Sequence, residues 1–319
     1  MNSIVFMYSG QGSQYYHMGA QLYEECAHFR DSMDALDYYF REYTGDSVLK
    51  HVFSTTHNKA DPFERMLYTH SAIYMFEYCL TQLLFRDGIE PDFYLGTSLG
   101  EITATTIAAG VHPKAVIRLL VDQARVCEEK LDASSMIAVF GGAQQLREIR
   151  EVFPLIDIAA INYSEHFVLS GNDDAMRNLP QYLADKPLLY SKVSVPFAYH
   201  SRVFDCIKDE LETSNLIDDL TMHKPCVSCS ELKVLYKTHK SFLWNVVRRP
   251  INFYETLMHF DRLGSFTYLD LGPSGTLANF ARQIIAESGS KSRSIQIMTP
   301  YTNDYEKYRG INYELKNGV

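Results

Sequence analysis

The chain has 319 residues, of which 46% are hydrophobic and 22% are charged, a composition typical of a soluble globular protein with a sizeable core. Its formal net charge of −9 argues against nucleic acid as a partner, because phosphate binding relies on Lys and Arg. No apolar stretch approaches the roughly 20 residues that span a bilayer, and the N-terminal apolar run lacks the basic start of a signal peptide. We expect a cytoplasmic, monomeric protein that binds a small-molecule substrate and neither nucleic acid nor membrane.

The first 131 residues alternate strand patterns with helical patterns. The predicted elements are a strand at 4–8, a helix from about residue 18, helical segments within 62–85, a strand at 92–96 and helices at 99–109 and 113–131. Gly110 and Pro113 mark the boundary between the last two helices. Strands followed by helices at this spacing predict an α/β core with a parallel sheet.

Residues 134–196 follow a different order. The predicted strands are 136–139, 156–162, 166–170 and 188–195, and the predicted helices are 143–153 and 173–184. This βαββαβ order is ferredoxin-like. We therefore predict an α/β fold in which a large α/β-hydrolase-like domain with a parallel sheet (1–133 and 197–319) carries an inserted ferredoxin-like subdomain (134–196). The second part of the large domain, after the insertion, has a predicted strand at 266–271 and a predicted helix from about Gly275. Residues from about 301 are expected to pack on the surface or fray.

Two local features have no assigned chemistry. Cys226 and Cys229 form a lone CxxC pair with no second pair and no histidine cluster nearby, so incidental spacing is favoured over a zinc or redox site. A basic segment either binds an acidic protein or is a solvated face; its members are Lys233, Lys237, Lys240, Arg248 and Arg249.

The segment Gly96-Thr97-Ser98-Leu99-Gly100 lies between a predicted strand and a predicted helix, which is the context of a nucleophile elbow. The glycines permit a sharp turn at Ser98, and the N-terminus of the following helix offers the Leu99 N–H to a developing oxyanion. An ordinary turn or a serine N-cap is the alternative interpretation.

A nucleophilic serine needs a base, and His200 is favoured because it follows an apolar strand end at the junction of the two domains, where clefts form. A structural histidine remains an alternative, and the pattern does not exclude His17, His70, His166 or His259. Near the N-terminus, a Gly-rich turn places Gln11 where it could supply a second oxyanion donor; a phosphate loop, which lacks its Gly-Lys-Ser/Thr ending here, and an ordinary turn are the alternatives.

Together these segments resemble the malonyl-CoA:acyl carrier protein transacylases and the acyltransferases of polyketide synthases, over about residues 3–300. The motifs that carry the resemblance are Ser9-Gly10-Gln11-Gly12-Ser13-Gln14, Gly96-Thr97-Ser98-Leu99-Gly100-Glu101, Asn162 before Val168-Leu169-Ser170-Gly171, Tyr199-His200-Ser201, Arg249-Pro250-Ile251-Asn252-Phe253 and Asp270-Leu271-Gly272-Pro273-Ser274-Gly275.

The resemblance implies a role for each matching residue. Ser98 would be the acylated nucleophile and His200 its base, oriented by a main-chain carbonyl near Asn245 or Val246. The substrate arrives as an acyl thioester on the phosphopantetheine of an acyl carrier protein, and neither a metal nor another cofactor is expected. The remaining implied positions are Gln11 and Leu99 in the oxyanion hole, and Thr97, Asn162 and Tyr199 at the substrate. Thr97 departs from the family, which usually has His there.

A second departure affects specificity. Malonyl-transferring members have an Arg at the position that matches Gln123, where it clamps the substrate carboxylate. A neutral amide cannot replace paired charge-assisted bonds, so malonyl loading is expected to be disfavoured by roughly 100-fold or more. The rival explanation is that Arg125 binds the carboxylate instead, but Arg125 is expected to face elsewhere, because a step of two positions along a helix rotates the side chain by roughly 200°.

Loss of the clamp makes the chain most like the discrete acyl hydrolases of polyketide assembly lines with separate acyltransferases. The favoured hypothesis is therefore an editing hydrolase of acyl carrier protein thioesters. The alternatives are malonyl-CoA:acyl carrier protein transacylase, transfer of an unusual acyl unit between carrier proteins, and a docking module without activity.

Overall fold

The structure is a computed structural model that describes residues 2–214, 216–301 and 303–317. Its strands are β1 (Ser3–Tyr8), β2 (Phe93–Gly96), β3 (Ser134–Phe140), β4 (Asp157–Tyr163), β5 (His166–Asn172), β6 (Tyr190–Lys192), β7 (Thr221–Ser228), β8 (Lys233–Lys237), β9 (Phe266–Asp270) and β10 (Arg293–Gln296).

The helices cover both faces of the larger sheet and one face of the smaller sheet. They are α1 (Ala20–Glu25), α2 (Ala27–Thr44), α3 (Val48–Val52), α4 (Met66–Arg86), α5 (Leu99–Ala108), α6 (Pro113–Lys130), α7 (Ala143–Val152), α8 (Asp173–Met176), α9 (Leu179–Asp185), α10 (Lys208–Leu211), α11 (Phe242–Arg248), α12 (Phe253–Phe260), α13 (Thr276–Ser288) and α14 (Asp304–Asn317), with 3₁₀ turns at Arg202–Ile207 and Asp261–Leu263. None of the helices in these ranges combines the length and the apolar character needed to cross a membrane.

The larger sheet has the strand order β10-β9-β1-β2-β7-β8. The first five strands are parallel, and β8 is an antiparallel edge strand, so the predicted parallel sheet is confirmed except at that edge. The register places Tyr8 opposite Gly96. The turns that follow β1 and β2 therefore lie side by side at the carboxyl edge of the sheet, where open α/β sheets bind ligands.

The smaller sheet has the order β4-β5-β3-β6, and all its neighbours are antiparallel. This is the predicted ferredoxin-like arrangement, with its own core between the sheet and α7 to α9. The sheet is tied to the larger domain through Ile251, whose N–H donates to the Ala159 oxygen at 2.8 Å and whose oxygen accepts from the Ile161 N–H at 2.8 Å.

Two elements differ from the sequence predictions. The single helix predicted over 173–184 is divided into α8 and α9, because Pro180 occupies the first turn of α9 and lacks an N–H for a continuous helix. The strand predicted over 188–195 is reduced to β6, which pairs for only three residues. The C-terminal segment, which was expected to pack on the surface or fray, packs over its described part: Tyr308 and Ile311 of α14 are buried, whereas 302, 318 and 319 lie outside the described residues.

Candidate active site

The turn between β2 and α5 holds Ser98 in a backbone conformation that serine rarely adopts. Its φ is 55° and its ψ is −124°, a region that costs residues with a side chain about 1–3 kcal/mol. Gly96 and Gly100 permit the turn, because a Cβ on Gly96 would lie 2.1 Å from the Gly100 oxygen and a Cβ on Gly100 would lie 2.0 Å from the Tyr8 oxygen. The predicted strand-turn-helix at Ser98 is therefore present, with the geometry of a nucleophile elbow.

His200 lies beside this turn. Its Nε2 is 2.9 Å from the Ser98 Oγ, and its Nδ1 is 2.7 Å from the main-chain oxygen of Arg249. A carbonyl only accepts, so Nδ1 carries the proton and Nε2 is free to accept from the serine hydroxyl. The fold brings together two residues that lie 102 positions apart and gives them the nucleophile-base-orienter geometry of covalent catalysis.

The carbonyl that orients His200 is not the predicted one. We expected the Asn245 or Val246 carbonyl, but both residues lie inside α11, where carbonyls accept helical hydrogen bonds; the Asn245 oxygen accepts from the Arg249 N–H. Arg249 follows the helix with an extended backbone, φ −75° and ψ 152°. Its carbonyl is therefore free to accept from the histidine.

His200 is strongly protected from solvent, with 2% of its surface exposed. Burial lowers its pKa to about 4, the hydrogen bond to the Arg249 carbonyl acts in the opposite direction, and the charge of Arg248 lowers the pKa further. The neutral imidazole is thus the stable form at neutral pH, which is the form that a general base requires.

The two predicted oxyanion donors flank Ser98. Leu99 begins α5, so its N–H has no carbonyl four residues earlier within the helix. The loop after β1 approaches from the other side, since a Cβ on Gly10 would lie 2.9 Å from the Ser98 Cβ. The Gln11 side chain is occupied, with Nε2 donating to the Thr69 Oγ1 at 2.8 Å. In the described part of the chain the main-chain N–H groups of Gln11 and Leu99 have no acceptor.

A buried carboxyl group fixes the base of that loop. The Glu77 Oε1 accepts from the Ser9 N–H at 2.6 Å and from the Ser9 Oγ at 3.0 Å, and the Ser13 Oγ donates to the Gly10 oxygen at 2.8 Å. Complete burial raises the pKa of Glu77 well above its usual range. The loop is thereby held in place before any substrate arrives, which is what a preorganised oxyanion site requires.

Ser98 and His200 open into a cavity of about 400 Å³ between the two sheets. Of the predicted substrate-contacting residues, Thr97, Asn162 and Tyr199 line it. Most of the other wall is apolar, from Met136, Ala138, Val168, Val193, Val195, Ile251, Leu277 and Phe280. Phe280 and Lys192 were not predicted as site residues. The only sequence signal for Phe280 was the helix pattern that follows Gly275.

A second histidine lines the same cavity. Asn162 donates from Nδ2 to the His166 Nδ1 at 2.9 Å, and burial lowers the pKa of His166.

His70 lies behind the Gln11 loop, where its Nε2 is 3.2 Å from the Gln11 Oε1 and burial lowers its pKa to about 3. The sequence pattern did not exclude these two histidines, or His17 and His259, as the base. The His17 ring is 2.8 Å from the His57 carbonyl, and His259 is exposed on α12.

Gln123 is not among the residues that line the cavity, so the prediction that it contacts the substrate is corrected. Only 4% of its surface is exposed, and its Oε1 has no hydrogen-bond partner in the described part of the chain. It borders a separate cavity between α6, α10 and α11, because α6 packs against other helices rather than against the sheet edge. Arg125 faces away as expected and donates to the Tyr43 oxygen.

The described residues contain no group of three or more His, Cys, Asp or Glu side chains arranged to hold a metal ion. Cys226 and Cys229 are both free and buried, and burial raises the pKa of both thiols well above the usual range. The CxxC pair is therefore held in its thiol form, which is unreactive towards metals and oxidants.

The fold is that of an acyltransferase domain. It superposes with a TM-score of 0.87 on a loading acyltransferase from the avermectin modular polyketide synthase, at 19% identity, over 98% of this chain and all of that one. The chain belongs to the acyl transferase domain family, whose pattern matches residues 5–314.

The sequence relatives include two discrete proteins of similar length. The chain is 33% identical over 313 residues to the polyketide biosynthesis acyltransferase homolog PksD of Bacillus subtilis, covering 97% of this chain and 96% of the relative. It is 35% identical over 299 residues to the homolog BaeD of Bacillus velezensis, covering 93% and 92%. The family resemblance that the motifs indicated is confirmed.

Proposed function

We propose that this protein hydrolyses acyl thioesters of acyl carrier protein in polyketide biosynthesis, with Ser98 as nucleophile and His200 as base. The observation that carries the proposal is the composition of the catalytic cavity. Among the described residues, the lining contains no arginine, and its single ammonium group, Lys192, belongs to the exposed strand β6. A malonyl carboxylate would find no guanidinium clamp there, whereas the apolar wall suits an uncharged acyl chain.

The reaction proceeds through an acyl-enzyme. His200 Nε2 accepts the proton of the Ser98 hydroxyl while Oγ attacks the thioester carbonyl carbon, and the negative charge on the carbonyl oxygen is stabilised by the N–H groups of Gln11 and Leu99. His200 then returns the proton to the phosphopantetheine sulfur as the carbon–sulfur bond breaks. Water attacks the serine ester by the same route, giving a free carboxylic acid and the starting enzyme.

The apolar wall also supports hydrolysis of neutral chains over ordinary malonyl transfer. Burying a carboxylate without a paired cation costs several kcal/mol, so a malonyl group would load slowly. The substrate brings its own phosphopantetheine arm, and the proposed steps use no further cofactor. The acceptor in the second half-reaction, water or a second thiol, is what separates hydrolysis from transfer of an unusual acyl unit.

The test is incubation with malonyl-CoA and, in a parallel reaction, with butyryl-loaded carrier protein, followed by intact-mass analysis. We expect butyrate and restored holo carrier protein, with no lasting malonyl adduct on Ser98. A stable malonyl adduct that moves to holo carrier protein would contradict the proposal in favour of malonyl transfer. Butyryl transfer to a second carrier protein without butyrate release would instead identify a transferase.

Two variants provide the controls. Ser98→Ala removes the nucleophile and is expected to abolish butyrate release, whereas Ser288→Ala changes an exposed serine at the end of α13 and is expected to leave release unchanged. Equal release by Ser98→Ala and the wild type would exclude Ser98 as nucleophile. No release by any form, combined with binding of the carrier protein, would identify the docking module without activity.

A further inference from the structure

The basic segment noted in the sequence is divided by the fold. Lys233 pairs with Glu231 at 2.8 Å and Lys237 pairs with Asp219 at 2.9 Å, so these two lysines are neutralised by their neighbours. Arg248 lies elsewhere, at the C-terminal end of α11, beside the cleft between the two subdomains. Lys233 and Lys237 are therefore not free to bind an acidic partner, whereas Arg248 takes part in another basic surface.

That surface, the arginine groove, is a depression of about 530 Å³ between α7, the start of β4 and the segment after α11. Its four arginines are Arg147, Arg150, Arg202 and Arg248, and its wall also includes Glu151 and Asp157. The groove therefore carries net positive charge, although the whole chain carries −9.

The four guanidinium groups are of two kinds. Arg202 is held by Asp157, with Nε and Nη2 each 3.0 Å from a carboxylate oxygen, and Arg248 is held by Asp205, with Nε at 2.6 Å. Arg147 and Arg150 are exposed on α7, three positions apart and thus on one face of the helix. Within the described ranges neither has a carboxylate at ion-pair distance, so both are free for a partner.

The groove continues to the catalytic base. His200 lies at the boundary of both the arginine groove and the cavity that holds Ser98. β4 connects the two, since Ile158 lines the groove and Ala160 lines the catalytic cavity. A molecule seated on the arginines therefore lies next to the catalytic base and to the wall of the cavity that holds Ser98.

We propose that the arginine groove is the docking surface for the acidic face of the carrier protein that delivers the acyl thioester. This inference rests on the proposed function, because it assumes a carrier-bound substrate. Guanidinium groups bind carboxylates through paired, charge-assisted hydrogen bonds. An acidic partner is repelled by the net negative charge of the chain elsewhere, so a local positive surface directs its approach and raises the rate of association.

The test compares the double variant Arg147→Glu/Arg150→Glu with the wild type on three butyryl thioesters: a carrier protein of net negative charge, CoA and N-acetylcysteamine. We expect kcat/KM for the carrier protein to fall about tenfold or more, mainly through KM, because exposed interfacial charges act on association. Hydrolysis of butyryl-N-acetylcysteamine and of butyryl-CoA is expected to stay within about twofold of the wild type. The matched control is Arg177→Glu, an exposed arginine of the same subdomain outside the groove, and it is expected to behave as the wild type.

Ionic strength gives an independent readout. Wild-type activity on the carrier protein is expected to fall between about 50 and about 300 mM NaCl, and the double variant is expected to lose most of this dependence. An unchanged kcat/KM for the carrier protein would overturn the inference. An equal loss on CoA and carrier protein, with N-acetylcysteamine unaffected, would also overturn it, because the groove would then bind phosphate.

Failure of the docking inference and failure of the proposed function give different results. If the wild type hydrolyses none of the three thioesters, the proposed function is wrong, and docking is then measured by calorimetric titration of holo carrier protein into the wild type and the double variant. Equal affinity of the two forms would overturn the docking inference on its own. Weaker binding by the double variant would support docking without hydrolysis.

Discussion

The low pKa of His200 makes a quantitative prediction about the acid limb of the pH-rate profile. The base must be neutral to accept the serine proton, so kcat/KM is lost as pH falls through the pKa of the free enzyme. Burial sets this pKa at about 4. At pH 5.5 a histidine with the ordinary pKa of about 6.5 would be only about one tenth neutral, whereas His200 stays more than about nine tenths neutral.

The assay is kcat/KM for butyryl-N-acetylcysteamine between pH 4 and 8, with recovery at pH 7.5 as a control for acid unfolding. We expect less than about a 1.2-fold change between pH 7.5 and 5.5, where an ordinary histidine would lose about tenfold. Arg248→Ala removes the nearby positive charge that lowers the pKa and is expected to move the acid limb upward. A midpoint near pH 6.5 in the wild type would refute the reasoning, because it would show that burial does not lower the pKa of the base.

Three further predictions concern stability. Gly100→Ala is expected to prevent folding, as judged by circular dichroism, because the new Cβ would lie 2.0 Å from the Tyr8 oxygen. The control is Gly45→Ala, whose Cβ would meet nothing within 4 Å. It is expected to lower the free energy of unfolding by only about 1 kcal/mol. Gln123→Leu is expected to raise the free energy of unfolding by about 1–2 kcal/mol, because the buried Oε1 lacks a partner; a lower melting temperature or lost activity would contradict the assigned position. Burial raises the pKa of Glu101 to about 7, so the native state keeps a proton that the unfolded chain loses. As pH rises from about 4.5 to 7, chemical denaturation should therefore show that the wild type loses on the order of 3 kcal/mol of unfolding free energy relative to Glu101→Gln. A difference in unfolding free energy that stays constant with pH would contradict this prediction.

The sequence predicted most of the fold, because most elements are specified by residues close together in the chain. The strand-turn-helix around Ser98 depends on an apolar strand, two glycines and a small-residue helix, all within a short segment. The βαββαβ order of the subdomain was likewise visible in local patterns. The failures were local as well: Pro180 divides a helix, and a strand of the right pattern pairs for three residues only.

The site was predicted in part. The sequence selected Ser98 and His200, and the fold brings them to 2.9 Å; their roles remain proposals. The orienting carbonyl was placed inside α11 because the end of a helix is uncertain by several residues in sequence, and the free carbonyl at Arg249 depends on where that helix stops. Gln123 was assigned to the substrate because it matches the position of the family's carboxylate-clamping arginine, but the direction of its side chain depends on the helices that surround α6.

By itself, the sequence determined the turn at Ser98, since only glycine permits the backbone contacts at positions 96 and 100. The tertiary structure alone decided which carbonyl holds His200, which residues form the acyl cavity, and how arginines from α7 and α11 come together beside it. The physical reason is separation along the chain: a turn is specified by its own residues, whereas a cavity or a groove exists only when distant segments pack together.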